Sequence, residues 1–171
     1  MSFIKSSVLI TVFAVSIIGN SYAQDRPTHE LHSMMIYNFL KYVQWPGDLN
    51  SGEFVIGVIG DDDVFNTLNT WYGNKDRGDK KLIVKNYNSA SEVGSCQLLY
   101  IGNKADFEAV NQKVSGQPTL TVTGKNGLGE KGSCINFKVV NNRLKFELNQ
   151  GSVDTNNLKV SSQLTAMAIM I

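Results

Sequence analysis

The sequence is short of nearly everything that would make it easy to classify. It has 3 prolines, 2 cysteines and 2 histidines in 171 residues, and only 18% of its residues are charged. The 16 basic and 15 acidic side chains leave a net charge of +1. Such a balance supplies no field for nucleic acid, whose recognition rests on neutralising phosphates. Two cysteines are too few for a disulfide-dense scaffold or a four-ligand zinc ribbon. The histidines, His29 and His32, stand three apart. A metalloprotease helix needs them four apart with a glutamate between, and a zinc site needs further ligands, so both are expected as solvated surface residues. No G-x-S-x-G elbow occurs, and no run of 18 apolar residues reads as a membrane span. Apolar content, at 42%, is nonetheless ordinary, so the chain can form a core and disorder is not expected.

The longest apolar run, Val8 to Ile18, lies near the start. Lys5 is the only charge in the first 23 residues, and Ser21-Tyr22-Ala23 ends in small residues. A basic start, a short apolar stretch and an A-x-A-like site describe a secretory signal peptide. Cleavage is expected after Ala23, leaving a single exported domain over residues 24–171. Export also makes ATP or NAD an improbable ligand and makes disulfide formation chemically open.

Along that domain the hydrophobic period alternates. Leu31, Met34, Met35, Ile36, Phe39, Leu40 and Val43 have helical spacing, with Thr28 as N-cap and Pro46 as stop. Glu53 to Ile59 is a short β-branched run that predicts a buried strand. A helix follows through Val64, Phe65, Leu68 and Trp71, then a charged loop over 73–80. Strands at 82–84, 97–101 and 119–123 are separated by a helical turn at 89–93 and a helix at 105–114. Ile135, Phe137 and Val139, then Leu144, Phe146 and Leu148, alternate with polar residues around Asn141-Asn142. That pattern predicts a tight antiparallel hairpin with one wet face. Residues 154–171 read as a last helix. The fold class is therefore α/β: a three-layer sandwich, a mostly parallel sheet with helices on both faces, closed by an antiparallel hairpin plus helix.

Few residues point to chemistry. Gly127, Gly129 and Gly132 fit G-x-G-x-x-G, but the dinucleotide fingerprint requires a helix to start there, and Ser133 to Val140 reads as a strand. Asp61, Asp62 and Asp63 end a strand; they suit a helix N-terminus, with Asp63 as the cap, better than a metal site. Cys96 and Cys134 each head a strand, and they are either a disulfide pair or two buried thiols. No catalytic residue, cofactor site or metal site is expected.

Met35-Ile36-Tyr37-Asn38-Phe39-Leu40-Lys41-Tyr42-Val43-Gln44-Trp45-Pro46 resembles the opening block of the YfiR-like family of periplasmic regulatory proteins. Phe54 to Gly60 and Ser95 to Ile101 resemble two of its strands. Gly132 to Phe137 with Leu144 to Asn149 resembles its hairpin, and Leu158 to Leu164 its closing "L-x-(I/V)-S-S-x-L" segment. The resemblance implies an α/β fold and a non-enzymatic regulator without cofactors. It implies binding to the periplasmic sensing domain of an inner-membrane signalling protein, a diguanylate cyclase or a sensor kinase. The outcome would be repression of cyclic-di-GMP and biofilm output. Control by two cysteine pairs does not carry over, because Asn141 stands where the partner of Cys134 would fall. Phe39, Val43, Trp45, Phe137, Phe146 and Leu148 are expected chiefly to specify the fold. Tyr42, Trp45 and Pro46 are the candidate partner contacts, and a homodimer is compatible with the sequence. The alternative reading is a periplasmic small-ligand-binding module using the strand ends near Gly60 and Gly102.

Overall fold

The computed structural model describes residues 26–47 and 52–171; the expected signal peptide and its cleavage point lie outside the described residues. Helix α1 (Thr28–Phe39) leads into a two-residue strand, β1 (Val43–Gln44). The helix ends at Phe39 because Val43 and Gln44 are taken up in antiparallel pairing with Val160 and Lys159. Pro27 rather than Thr28 occupies the N-cap, and no side chain caps that end.

Strand β2 (Glu53–Ile59) is buried at every position after Glu53. Phe54, Ile56 and Val58 join one apolar cluster, and Val55 and Ile59 join a second. Burial of alternate residues on opposite faces marks the interior strand of a sheet covered on both sides. Helix α2 (Asp62–Tyr72) follows, capped by Asp61, whose Oδ1 accepts from the Val64 N–H at 3.1 Å. The cap is thus Asp61, not Asp63: Asp61 is the last residue with extended backbone (φ −156°), and only a residue outside the first turn can turn its side chain back onto the free amides. The charged stretch 73–80 is not all loop, since β3 (Asp76–Arg77) pairs antiparallel with β4 (Lys80–Tyr87).

A 3-10 turn (Ala90–Glu92) leads to β5 (Leu98–Ile101), then α3 (Phe107–Val114), β6 (Leu120–Thr123), β7 (Ile135–Val140) and β8 (Arg143–Leu148). The remainder is α4 (Gln150–Thr155), β9 (Lys159–Val160), α5 (Ser162–Met167) and β10 (Ile169–Met170). One mixed sheet has the order β10-β8-β7-β6-β5-β2-β4-β3, and β1 pairs with β9 apart from it. The pairs from β4 through β2, β5 and β6 to β7 are parallel, and the β7–β8 hairpin is antiparallel.

The larger cluster packs side chains of α1, α2, α4 and α5 on one face of this sheet. The smaller packs Phe107, Val110 and Val114 of α3 with Val93, Cys96 and Leu128 on the other. The glycine-rich segment 124–132 forms turns rather than a helix, and its Gly129 packs against Asn136 of β7 and Glu147 of β8 on that second face. Beneath it lies a buried polar layer. Thr123 Oγ1 donates to Asn136 Oδ1 at 2.8 Å, and Asn136 Nδ2 donates to Glu147 Oε2 at 2.9 Å. Burial alone would raise the Glu147 carboxyl; the Lys138 ammonium and the Asn136 amide outweigh it and hold the group below its ordinary value.

The single long helix expected over 154–171 is not formed. Asn157, with φ +53°, takes the left-handed conformation that ends helices. Two short strands then find partners, β9 on β1 and β10 on β8, with Ser161 capping α5 between them. The apolar spacing of Leu158 and Leu164 is real, and both are buried, but it comes from two elements converging on one cluster.

Candidate functional site

Leu40, Lys41 and Val43 to Pro46 build one wall of a groove of about 690 Å³, which Phe54, Arg77 to Lys80 and Gln97 complete. Its floor is over-determined. Trp45 Nε1 donates to the Gln97 carbonyl at 2.7 Å, and Gln97 Oε1 accepts from the Val55 N–H at 2.6 Å. The Trp45 ring stands edge-on to Phe54, with centroids 5.0 Å apart and planes at 88°. The Arg77 guanidinium lies 4.1 Å from the Phe54 centroid and 5.5 Å from that of Trp45. Its Nη2 donates to the Leu40 carbonyl at 2.8 Å. Leu40 is the C-cap of α1, so the cation satisfies an orphan carbonyl at the negative end of the helix. Burial pushes the guanidinium pKa down; cation–π contact and a carbonyl partner keep the charged form favoured. Lys41 and Gln44 are exposed on the rim.

Of the three expected contact residues, Trp45 and Pro46 line this groove. Tyr42 does not; it is half-buried against the larger cluster. Phe39, Val43, Phe137, Phe146 and Leu148 are buried, as expected of fold-specifying residues. Arg77 and Gln97 were not legible as groove residues. Arg77 sits in what reads as a solvated charged turn, and only the Asp76-Arg77-Gly78-Asp79 pattern of a tight turn hints at a hairpin there.

The strand ends tell a different story. Gly60 and Gly102 pack backbone to backbone: a Cβ on Gly102 would come within 2.5 Å of the Gly60 carbonyl oxygen, and one on Gly60 within 2.5 Å of the Ala105 nitrogen. The crevice between β2 and β5, where open α/β sheets hold ligands, is therefore filled. A hollow of about 400 Å³ remains beside it, lined by Asp62, Asn86, Asn88, Lys104 and Asp106 among others. The neighbouring helix N-termini are already capped by carboxylates, Asp61 for α2 and Asp106 for α3. Each carboxylate occupies the positive end of its helix and disfavours a phosphate there.

His32 is not the solvated histidine expected. It is 6% exposed, stacked on Phe137 at 4.2 Å, and its Nδ1 lies 2.9 Å from Tyr100 Oη. Burial, helped by nearby His29, lowers its pKa to about 4. Among the described residues no group of three or more His, Cys, Asp and Glu could hold a metal.

Cys96 and Cys134 are free thiols, not a disulfide. They belong to different clusters. Strand β6 runs between β5 and β7, which sets the two chains roughly 9.5 Å apart. The register of Leu99 with Thr121 and of Val122 with Ile135 places Cys134 level with Leu99, three residues beyond Cys96. A disulfide needs Cα atoms within about 7 Å. Strand heads share one edge of a parallel sheet, but the third strand and the stagger defeat the bond. Burial raises both thiols, Cys96 to about 12, so neither is a nucleophile at neutral pH.

Residues 29–169 match the YfiR/HmsC-like family. The chain belongs to that family. The match takes in every element from α1 to β10, including the groove and the buried layer. No curated protein matches the chain. Among solved structures, the "conserved domain protein" of Vibrio cholerae O1 biovar El Tor is 12% identical with a TM-score of 0.49, over 84% of this chain and 60% of that one. The YfiR/HmsC-like chain thus spans less than two thirds of that protein.

Proposed function

We propose that this YfiR/HmsC-like chain is a periplasmic regulator without enzymatic activity. It binds the periplasmic sensing domain of an inner-membrane signalling protein and holds down a diguanylate cyclase, limiting cyclic-di-GMP and biofilm output. The carrying observation is family membership over residues 29–169. The groove supports it: a partly exposed aromatic and a sandwiched arginine, pre-set by hydrogen bonds, are what interface centres favour. In this reading export precedes folding, Ala23 is the last residue removed, and residues 24–171 act as one three-layered domain.

The test uses two exposed rim residues that leave the floor intact. Deleting the gene raises cyclic-di-GMP, and the wild-type protein restores it. The Lys41→Glu/Gln44→Glu double variant keeps its melting temperature, fails to restore the level, and no longer captures the membrane partner. Unchanged cyclic-di-GMP on deletion, together with no inner-membrane protein captured by the wild type, would sink the reading. The small-ligand alternative rests on the hollow beside Gly60. It requires a compound that stabilises the protein by about 2.7 kcal/mol at 100 times its dissociation constant.

A further inference from the structure

The β7–β8 hairpin closes through Asn141 and Asn142, with φ of +50° and +59°. Both central residues of such a primed two-residue turn have positive φ. Val140 and Arg143 face each other across it. In a hairpin of this kind that closing pair is hydrogen-bonded, and hydrogen-bonded pairs then recur at every second position. Arg143, Lys145 and Glu147 therefore turn their backbone toward β7, and Leu144, Phe146 and Leu148 turn theirs outward. On the outer side β10 reaches only Glu147 and Leu148, with the Ile171 N–H donating to the Leu148 carbonyl at 3.1 Å. Among the described residues nothing pairs with the outward N–H and C=O of Leu144.

The side chains around this open edge are sorted by face. Val139 and Leu144 are directly opposite each other on one face; Val139 is 67% exposed, the largest value among the exposed large apolar residues described. The other face carries Lys138, Arg143 and Lys145. Lys138 is paired with Glu147, whereas no described carboxylate lies within ion-pair distance of Arg143 or Lys145.

We propose that the outer edge of β8 receives an extended segment of a partner protein by strand addition. The segment alternates apolar side chains, lying beside Leu144 on the face that Val139 shares, with acidic ones, lying beside Arg143 and Lys145. Main-chain bonds to Leu144 supply affinity and the alternating faces supply register, which is the logic of edge recognition. A second copy of this chain is the wrong occupant. Antiparallel self-pairing centred on Leu144 sets Arg143 opposite Lys145 twice, and centring on Lys145 sets Lys145 against itself. Like charges directly opposite disfavour both registers. The cations that guard the edge against self-association thereby select an acidic visitor. The surface lies at the other end of the sheet from the Trp45–Arg77 groove, so it adds a contact rather than restating that one.

The test takes the full mature protein and a nine-residue peptide alternating valine and glutamate. One control has the same composition in two blocks, and another has lysine for glutamate. The alternating acidic peptide binds and slows hydrogen exchange at the Leu144 amide. The exposed double variant Arg143→Glu/Lys145→Glu keeps its fold by circular dichroism, weakens that binding by at least about tenfold and takes up the lysine peptide instead. Three results would overturn the proposal: equal binding of the block peptide, no added protection at Leu144, or a dimer in sedimentation that Val139→Lys abolishes.

Discussion

His32 carries the clearest consequence at the scale of one residue. Its folded pKa of about 4 lies below the unfolded value of 6.5. The folded state therefore takes up its proton later than the unfolded state does. Above pH 6.5 the imidazole is neutral in both and costs nothing. As pH falls from 6.5 toward 4 the unfolded chain gains a proton that the folded one refuses, and stability is lost. The loss attributable to His32 between pH 7 and pH 4 is about 3 kcal/mol. Urea unfolding of His32→Gln, which has no proton to gain there, should lack that part of the decline; parallel pH profiles for wild type and variant would refute the assignment. None of this was legible beforehand. A histidine on a helix reads as surface unless its face is known, and the partner that hides it, Tyr100, lies on β5 far along the chain.

At the scale of elements, the two ends of the chain read differently from its middle. Strand β2 was legible to the residue, because a β-branched run between Gly52 and Gly60 has few other solutions. The Asn-Asn hairpin was legible for a similar local reason, since Asn tolerates positive φ. The C-terminal segment was not. Its strands are two residues long and exist only because β1 and β8 offer them edges, which is a tertiary cause. The cysteines failed in the same way: each strand was placed, but strand order and stagger are not written in local pattern. Even where the element was right, its cap was ambiguous, and here the structure makes a measurable choice. Asp61→Ala should cost about 1 kcal/mol by removing the bond to the Val64 amide, while Asp63→Ala at the exposed first turn costs a few tenths. Equal losses would mean that the cap is shared.

At the scale of the whole molecule, the near absence of net charge takes on a definite sense. With 16 basic and 15 acidic side chains the protein casts no long-range field, yet its charge is locally sorted, with Arg77 in an aromatic groove and Arg143 and Lys145 on a bare edge. In the readings proposed above, partner choice rests on short-range complementarity, and rim charges govern association more than the total does. The fold positions these two surfaces at opposite ends of one sheet, so the two proposed contacts do not compete for one place.

The place of β2 between β4 and β5 has a further consequence for how the chain is made. Ile56 pairs with Val84 on one side and with Leu98 on the other. The core strand therefore keeps one edge unpaired until β5 as well as β4 is in place. Non-local pairing of this sort is slow to nucleate. A fragment ending before Leu98 should stay unfolded by circular dichroism, whereas the full chain folds cooperatively; a folded fragment would show that the first half matures alone.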